Sequence, residues 1–431
     1  MIETLIAGSA GFLMGVVAGI LPGLGTVSLL TISYFFISGL EPANLIIYYL
    51  GILMASQYFG SVTAITTGIP GDISALPAAQ WGFDLSKKGQ AGILLYLTAK
   101  FSLIAGVLGF VAFLLIISLN WFWVKTLSIW FQTLVLTIAF ITILFVSTNK
   151  KIINLLMIVA GILIGLVGYS FNYQREFLTW NVEMLKFGIP WLPILTGLIV
   201  VPGLMSLLKT NIINIDITST HRLPQQKSFA AAAARGGIFG FILGTVPGLS
   251  YILSSMISAK IEERVSQDPQ KIVVASESAN NAGAVSMLLP LFLVGVPITA
   301  SESVIFSILT TNFDIGNIPE LFRDKWVLFT VYFLLLNLCL FVTAWKFAIP
   351  ISNYLLKRTR ILFVFAIVLV LFGVFYMGYV EQDLMLYLLT LIVFTVAGVL
   401  FSRLDWTPLV YAVLLQPYAE LCVHKFFQVY F

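Results

Sequence analysis

The chain has 431 residues, 59% of them hydrophobic and 10% charged, with a formal net charge of +4. A soluble domain carries roughly 25% charged residues, so this balance excludes one; the absence of any basic run speaks against a nucleic-acid partner. Mean hydropathy is +1.01. A spanning helix needs about 20 apolar residues, and runs at 93–119, 127–146, 152–169, 327–343 and 361–377 approach or exceed that length. Short alternating segments of the outer-membrane barrel kind are not seen. The composition therefore predicts an all-α polytopic membrane protein.

In chain order, the first apolar segment, 4–39, is broken at "AGILPGLGT" (18–26), and a second runs from 43 to 67. The opening "MIETLIAGSAGFLMG" has no basic n-region and is expected to start the first helix. The polar stretch "GIPGDISALPAAQWGFDLSKKGQ" then re-enters, and long helices are expected near 91–119, 121–147, 152–170 and 187–208. A polar loop leads to another broken segment, 230–259, carrying "LGTVPGLSY" (243–251), and to one interrupted at Pro290 and Pro297. Runs near 326–348, 361–378, 384–401 and 407–423 close the chain, giving ten to twelve membrane segments. Trp121, Trp123 and Trp130 suit an interfacial belt. Cys339, Cys422, His221 and His424 show no metal-ligand spacing.

A Pro-Gly pair removes a helix N–H and weakens the helix around it. The two breaks match. One constant shift lays Gly11, Gly15 and Gly19 on Gly236, Gly240 and Gly244, and Pro22-Gly23-Leu24 on Pro247-Gly248-Leu249. Downstream, "GSVTAITTGIPG" from Gly60 resembles the stretch from Gly283, with about four extra residues before the second Gly-x-Pro. Lys87/Lys88, Lys150/Lys151, the 209–235 loop, 357–360 and Arg403 fall on one side by the positive-inside rule, and 120–125, 169–186 and 311–325 on the other. The repeats are then inverted, an arrangement found in secondary transporters, whose sites lie at discontinuous helices. The expected divisions are 1–90 (first repeat), 91–229 (long scaffold helices and loop), 230–325 (second repeat) and 326–431 (C-terminal scaffold).

Broken helix ends are tolerated in lipid only where they line a cavity or bind a ligand. Helix N-termini favour anions. Thr26, Ser28, Ser61, Thr63, Thr66, Thr67, Asn280, Asn281, Ser286, Thr299, Ser301 and Ser303 cluster at the breaks. They either bind ligand or act as interhelical glue. Asp72, Glu277 and Glu302 either bind a cation or proton or cap helices at the interface. Lys100 either counters an anion or snorkels. No GxSxG, HExxH or P-loop is present, so no enzyme is expected. Energy would come from an ion gradient or another subunit. An ion or anion channel, or a transporter of a non-carboxylate solute, is the alternative reading.

"GILPGLGT", "YFGSVTAITTGIPGD", "KKGQAG", "GTVPGLS", "EERVSQDP", "SESANNAGAVSMLLPLFLVGVP", "FGIPWLPILTGL", "IPELF" and "RLDWTPLVYAVLLQPYAE" are spread along the chain. As a set they resemble the large membrane subunit of the tripartite tricarboxylate transporters. The family's glycine-proline motifs fall on Pro22, Gly23, Gly25, Gly60, Pro70, Gly71, Pro247, Gly248, Asn280, Asn281 and Pro297. The chain departs from the family at Gly68, Trp81, Lys100, Ser250 and Ile298, as a divergent member. The resemblance implies a permease importing organic carboxylates (tri- or dicarboxylates such as citrate) across the bacterial inner membrane with Na⁺ or H⁺ and no other cofactor. It also implies a small membrane subunit and a periplasmic substrate-binding protein as partners; homodimer formation is left open.

On these grounds Pro22, Gly23, Leu24, Gly25, Thr26, Ser61, Thr63, Gly68, Pro70, Gly71, Asn280, Asn281, Pro297 and Thr299 are the expected substrate contacts. Thr66, Thr67, Asp72, Pro247, Gly248, Glu277, Ser286 and Glu302 are the candidates for ion coupling.

Overall fold

The computed structural model describes residues 2–124, 129–170, 172–209, 229–247, 250–312 and 318–430. Of the described residues, 84% are helical. The first half opens with α1 (Ile2–Ile20), α2 (Thr26–Ile37) and α3 (Pro42–Thr67). The stretch after the Gly-Ile-Pro-Gly break, expected as a polar re-entry, coils tightly through wide π turns and the single turn α4 (Phe83–Leu85). Gly89, at φ 76°, kinks it into the long α5 (Ala91–Val124).

Next come α6 (Ile129–Val146) and α7 (Lys151–Gly165), then α8 (Trp191–Leu195) and α9 (Val201–Lys209), joined by a π turn. The second half follows with α10 (Ala230–Gly244), α11 (Ser250–Ser266), α12 (Pro269–Ser286), α13 (Leu288–Val294) and α14 (Ala300–Asn312). The last helices are α15 (Ile318–Val342), α16 (Ala348–Leu356), α17 (Thr359–Val380), α18 (Leu384–Leu400) and α19 (Thr407–Tyr430).

Among the described residues five helical spans are long and apolar enough to cross a membrane: 2–20, 42–67, 78–119, 318–356 and 359–380. Seven shorter apolar helices accompany them. The protein is a polytopic, all-α membrane protein with one exception. The tail of the run expected as helix to residue 170 instead forms a two-stranded antiparallel hairpin, β1 (Gly168–Ser170) with β2 (Arg175–Phe177). Gly168, at φ 121°, turns the chain out of α7, and the polar "NYQRE" that follows has no apolar face to bury.

Two polar knots lie along α19, one at its start and one past its middle. At its start, Ser147 donates to Asp405 (2.8 Å) and Asn149 to the Asp405 carbonyl (2.8 Å). The 147–151 and 403–405 loops, both placed on the basic side by charge, thus meet. About 20 Å further along α19, at 1.5 Å per residue, Glu420 accepts from Ser170 and from Asn172 (3.1 Å) of the hairpin.

The two halves pack in the same way. A Cβ on Gly11 would overlap the Tyr48 carbonyl, and one on Gly236 would overlap the Ala275 carbonyl. Gly19 faces the Ser56 carbonyl; Gly244 faces that of Gly283. Tyr48 and Ala275 are separated in the chain by the same interval as Ser56 and Gly283. Gly68 and Gly295 keep that interval too, and they close α3 and α13 in the left-handed conformation at φ 73° and 75°. The spacing is therefore constant along α3 in the first half and α12–α13 in the second. Gly60 falls level with Met287, not Gly283, and the extra residues inferred from sequence are not needed.

Candidate functional site

The first Pro-Gly break lies between α1 and α2. Leu24 is buried, Pro22 is half-buried, and Gly23 is exposed at φ 88°. A Cβ on Gly23 would overlap the Ser206 hydroxyl. Gly25 is the N-cap of α2 and supplies no side chain, so the first N–H groups of a twelve-residue helix have no side-chain acceptor. Nothing lies within 4 Å of where a Gly25 Cβ would be. The Thr26 and Ser56 hydroxyls stand 3.4 Å apart just inside.

The second break of this half folds back onto the first. A Cβ on Gly71 would overlap the Gly19 carbonyl, and the Thr63 hydroxyl donates to that carbonyl at 3.2 Å. Pro70 and Gly68 are half-buried beside it. Asp72 caps the short helical turn after the break, accepting from the Ser74 N–H at 2.9 Å. Thr66 and Thr67 donate to carbonyls of their own helix, Val62 at 2.7 Å and Thr63 at 2.8 Å. That is the local bonding of glue residues.

In the second half Pro247 is half-buried, while Gly248 lies outside the described residues, as does His221. Ser286 donates to the Gly283 carbonyl at 3.2 Å. At the Gly-Val-Pro break, Thr299 and Glu302 form a capping box for α14. Glu302 N–H donates to the Thr299 hydroxyl (3.3 Å), and Glu302 Oε2 accepts from the N–H groups of Ile298 (2.8 Å) and Thr299 (3.1 Å). The Tyr411 hydroxyl holds the Pro297 carbonyl at 3.0 Å.

Glu277 differs from the other two acids. It sits inside α12, 1% exposed, where no helix start offers free N–H groups. Ser61 of α3 donates to its Oε2, and Oε1 has no protein partner. Asn281 Nδ2 donates to the Ser102 hydroxyl of α5 at 2.8 Å and to the Glu277 carbonyl at 3.0 Å. Asn280 lies beside the Glu277 carboxyl without meeting hydrogen-bond geometry.

The expected residues thus fall into two groups. Pro22 to Thr26 form the α1–α2 break, with Thr63 and Gly71 against the Gly19 carbonyl beside it, while Gly68 packs on Phe83. Ser61, Glu277, Asn280 and Asn281 gather between α3, α12 and α5, and the Pro297–Glu302 cap belongs to neither. Lys100 is exposed, with its ammonium 5.9 Å from the Tyr96 ring and 5.7 Å from the Phe101 ring, which is the snorkelling alternative.

Sequence reasoning passed over residues that join the halves. Ser255 donates to the Ser74 carbonyl (2.6 Å), Ser74 donates to Gln57 (3.1 Å), and the Tyr49 hydroxyl meets Ser301 (3.2 Å), the one member of this set that the sequence did single out. It also passed over Thr98 and Ser102. Their signal was available: two hydroxyls one helical turn apart in an otherwise apolar run face one side.

The sequence pattern of the tripartite tricarboxylate transporter TctA family matches residues 5–414. The chain belongs to this family. TctA-family proteins are transporters, which agrees with the multi-pass fold. Among curated proteins, an uncharacterized 52.8 kDa protein in the TAR-I ttuC′ 3′ region of Agrobacterium vitis is 30% identical over 307 residues, covering 67% of this chain and 60% of that protein. An uncharacterized protein in the TAR-II ttuC′ 3′ region of the same organism is 35% identical over 65 residues, 14% of this chain and 27% of that protein. The chain therefore spans less than two thirds of the length of the curated relatives it matches. No solved structure matches.

Proposed function

We propose that this TctA-family chain is the large permease subunit of a tripartite secondary transporter. It imports tri- or dicarboxylates across the bacterial inner membrane by alternating access, driven by Na⁺ or H⁺. A small membrane subunit and a periplasmic binding protein complete the system. The observation that carries the reading is the pair of matched broken-helix units, in constant register along α3 and α12–α13 and joined by Ser255–Ser74, Tyr49–Ser301 and Ser61–Glu277. Inverted repeats of this kind cradle substrate near the midplane of secondary transporters.

The substrate carboxylate rests at the N-terminus of α2. Its unsatisfied N–H groups and dipole favour an anion, and Gly25 leaves the approach open. The Thr26 hydroxyl supplies a further donor, since that of Ser56 already donates to the Leu53 carbonyl. Energy enters as an ion moving down its gradient with the substrate. The test is uptake of labelled di- and tricarboxylates into proteoliposomes holding both membrane subunits, with the binding protein added. Uptake that depends on an imposed Na⁺ or H⁺ gradient is expected; uptake indifferent to both gradients contradicts the coupling, and no carboxylate uptake contradicts the substrate class.

A further inference from the structure

Beside Glu277 lies a cavity of about 10 Å³, bounded by Ser61, Thr98, Ser102, Glu277 and the apolar Leu95 and Ala344. That is room for a single water-sized particle. Three separate helices meet there: α3 brings Ser61, α5 brings Thr98 and Ser102, and α12 brings Glu277. These four are buried, as is Tyr58 of α3, which also lines the cavity and donates its hydroxyl hydrogen to Asn337.

The hydrogen-bond inventory gives the chemistry of the space. Ser61 commits its hydrogen to Glu277, and Thr98 commits its hydrogen to the Leu95 carbonyl at 3.1 Å. What these hydroxyls have left to offer is lone pairs. Glu277 Oε1 is a buried carboxyl oxygen with no protein partner, and among the described residues no basic side chain pairs with it. A buried carboxylate must be paired or neutralised. The walls thus present hydroxyl oxygens, that of Ser102 also accepting from Asn281, and one negative charge, which suits a cation.

The set also selects the cation. Calcium takes six to eight oxygens, several of them carboxylates, and this cavity has one carboxyl group. Transition metals call for imidazole or thiolate, and no group of three His, Cys, Asp or Glu converges among the described residues. A proton on Glu277 would need no ring of hydroxyl lone pairs. One carboxylate with neutral hard oxygens in a space for one small particle fits a bare monovalent ion.

We propose that Glu277, Ser61, Thr98 and Ser102 form a sodium-ion site. The ion would tie both repeats to the long α5 helix, and for its part in coupling the inference rests on the transporter reading above. Neither Thr98 nor Ser102 belongs to a broken helix.

The experiment is equilibrium binding of radiosodium to the purified chain in detergent, without carboxylate, for wild type, Glu277→Gln, Ser102→Ala and Glu302→Gln. Wild type and Glu302→Gln are expected to bind saturably, with unlabelled Na⁺ competing and K⁺ not. Glu277→Gln and Ser102→Ala are expected to weaken binding at least about tenfold while unfolding at the wild-type temperature in sodium-free choline buffer. Undiminished binding in the folded Ser102→Ala and Glu277→Gln proteins overturns the site. So does a wild type with no saturable sodium binding, or one in which only a change of pH alters the protein. A chain that binds sodium as described but supports no carboxylate uptake keeps the site and loses the transporter reading.

Discussion

Glu302 illustrates how one carboxylate oxygen of an acid in an apolar run can be occupied by local structure. Its Oε2 takes two backbone N–H groups at the start of α14, and Thr299 returns the bond. Thr299→Ala removes half of this box and is expected to cost about 1 kcal/mol of stability, read as a lowered melting temperature. Glu302→Gln keeps an acceptor at the same place. It should therefore leave the ion dependence of uptake unchanged; a variant whose uptake no longer follows the ion gradient would move Glu302 into the coupling machinery. The cap was readable in the sequence, because Thr-x-x-Glu before an apolar run is the capping-box pattern. The different standing of Glu277 was not readable. Its helix gives it no free N–H, but only the fold brings Ser61 and Ser102 near it, both from the distant first half of the chain.

At the scale of elements, glycines do two separate jobs. Gly11, Gly15 and Gly19 let α1 lie on α3 backbone to backbone, and Gly236, Gly240 and Gly244 do the same for α10 on α12. Gly25 is different, with open space where its side chain would be and φ −69°, a conformation any residue adopts. Gly240→Leu must push the two helices apart and is expected to cost about 1–3 kcal/mol or more by overpacking, seen as loss of monodisperse protein on gel filtration. Gly25→Leu should fold normally and instead raise KM for carboxylate by roughly tenfold, about 1.4 kcal/mol of binding, since it occludes the uncapped end of α2. A Gly25→Leu protein with wild-type KM would put the carboxylate elsewhere. The glycine register of the first helices was legible as a single constant shift, because close-packed positions recur every four residues. The register of α3 against α12 was misread. Gly60 and Gly283 look alike in sequence, whereas the packing pairs Ser56 with Gly283. Similarly, the stretch to residue 170 is apolar enough for a helix, yet Gly168 and the hairpin end it early.

For the whole molecule, the composition was sufficient to give a multi-pass helical membrane protein, because hydropathy alone dictates it. The contacts between the broken units and their surroundings came only from the fold, and they distinguish two ways of moving. The units touch each other through Ser255 and Ser74, and the second unit touches α6 through Gln132, which donates to the Val294 carbonyl at 3.1 Å. If both units travel together past the long helices, a cross-link between them is harmless and one to α6 is not. If they rock against each other, the first cross-link also blocks. With Cys339 and Cys422 replaced by serine, cysteine pairs at 74/255 and at 132/294 can be joined by a short thiol cross-linker. We expect the 132/294 bridge to reduce uptake at least about tenfold, with recovery on cleavage of the linker, because alternating access requires one body to move against the other. A third pair at 147/405, inside the polar knot at the start of α19, should transport equally before and after cross-linking. Retained uptake with 132/294 fully bridged would mean that α13 and α6 move as one body, and the moving boundary would then have to lie between the two broken units, where the 74/255 bridge detects it.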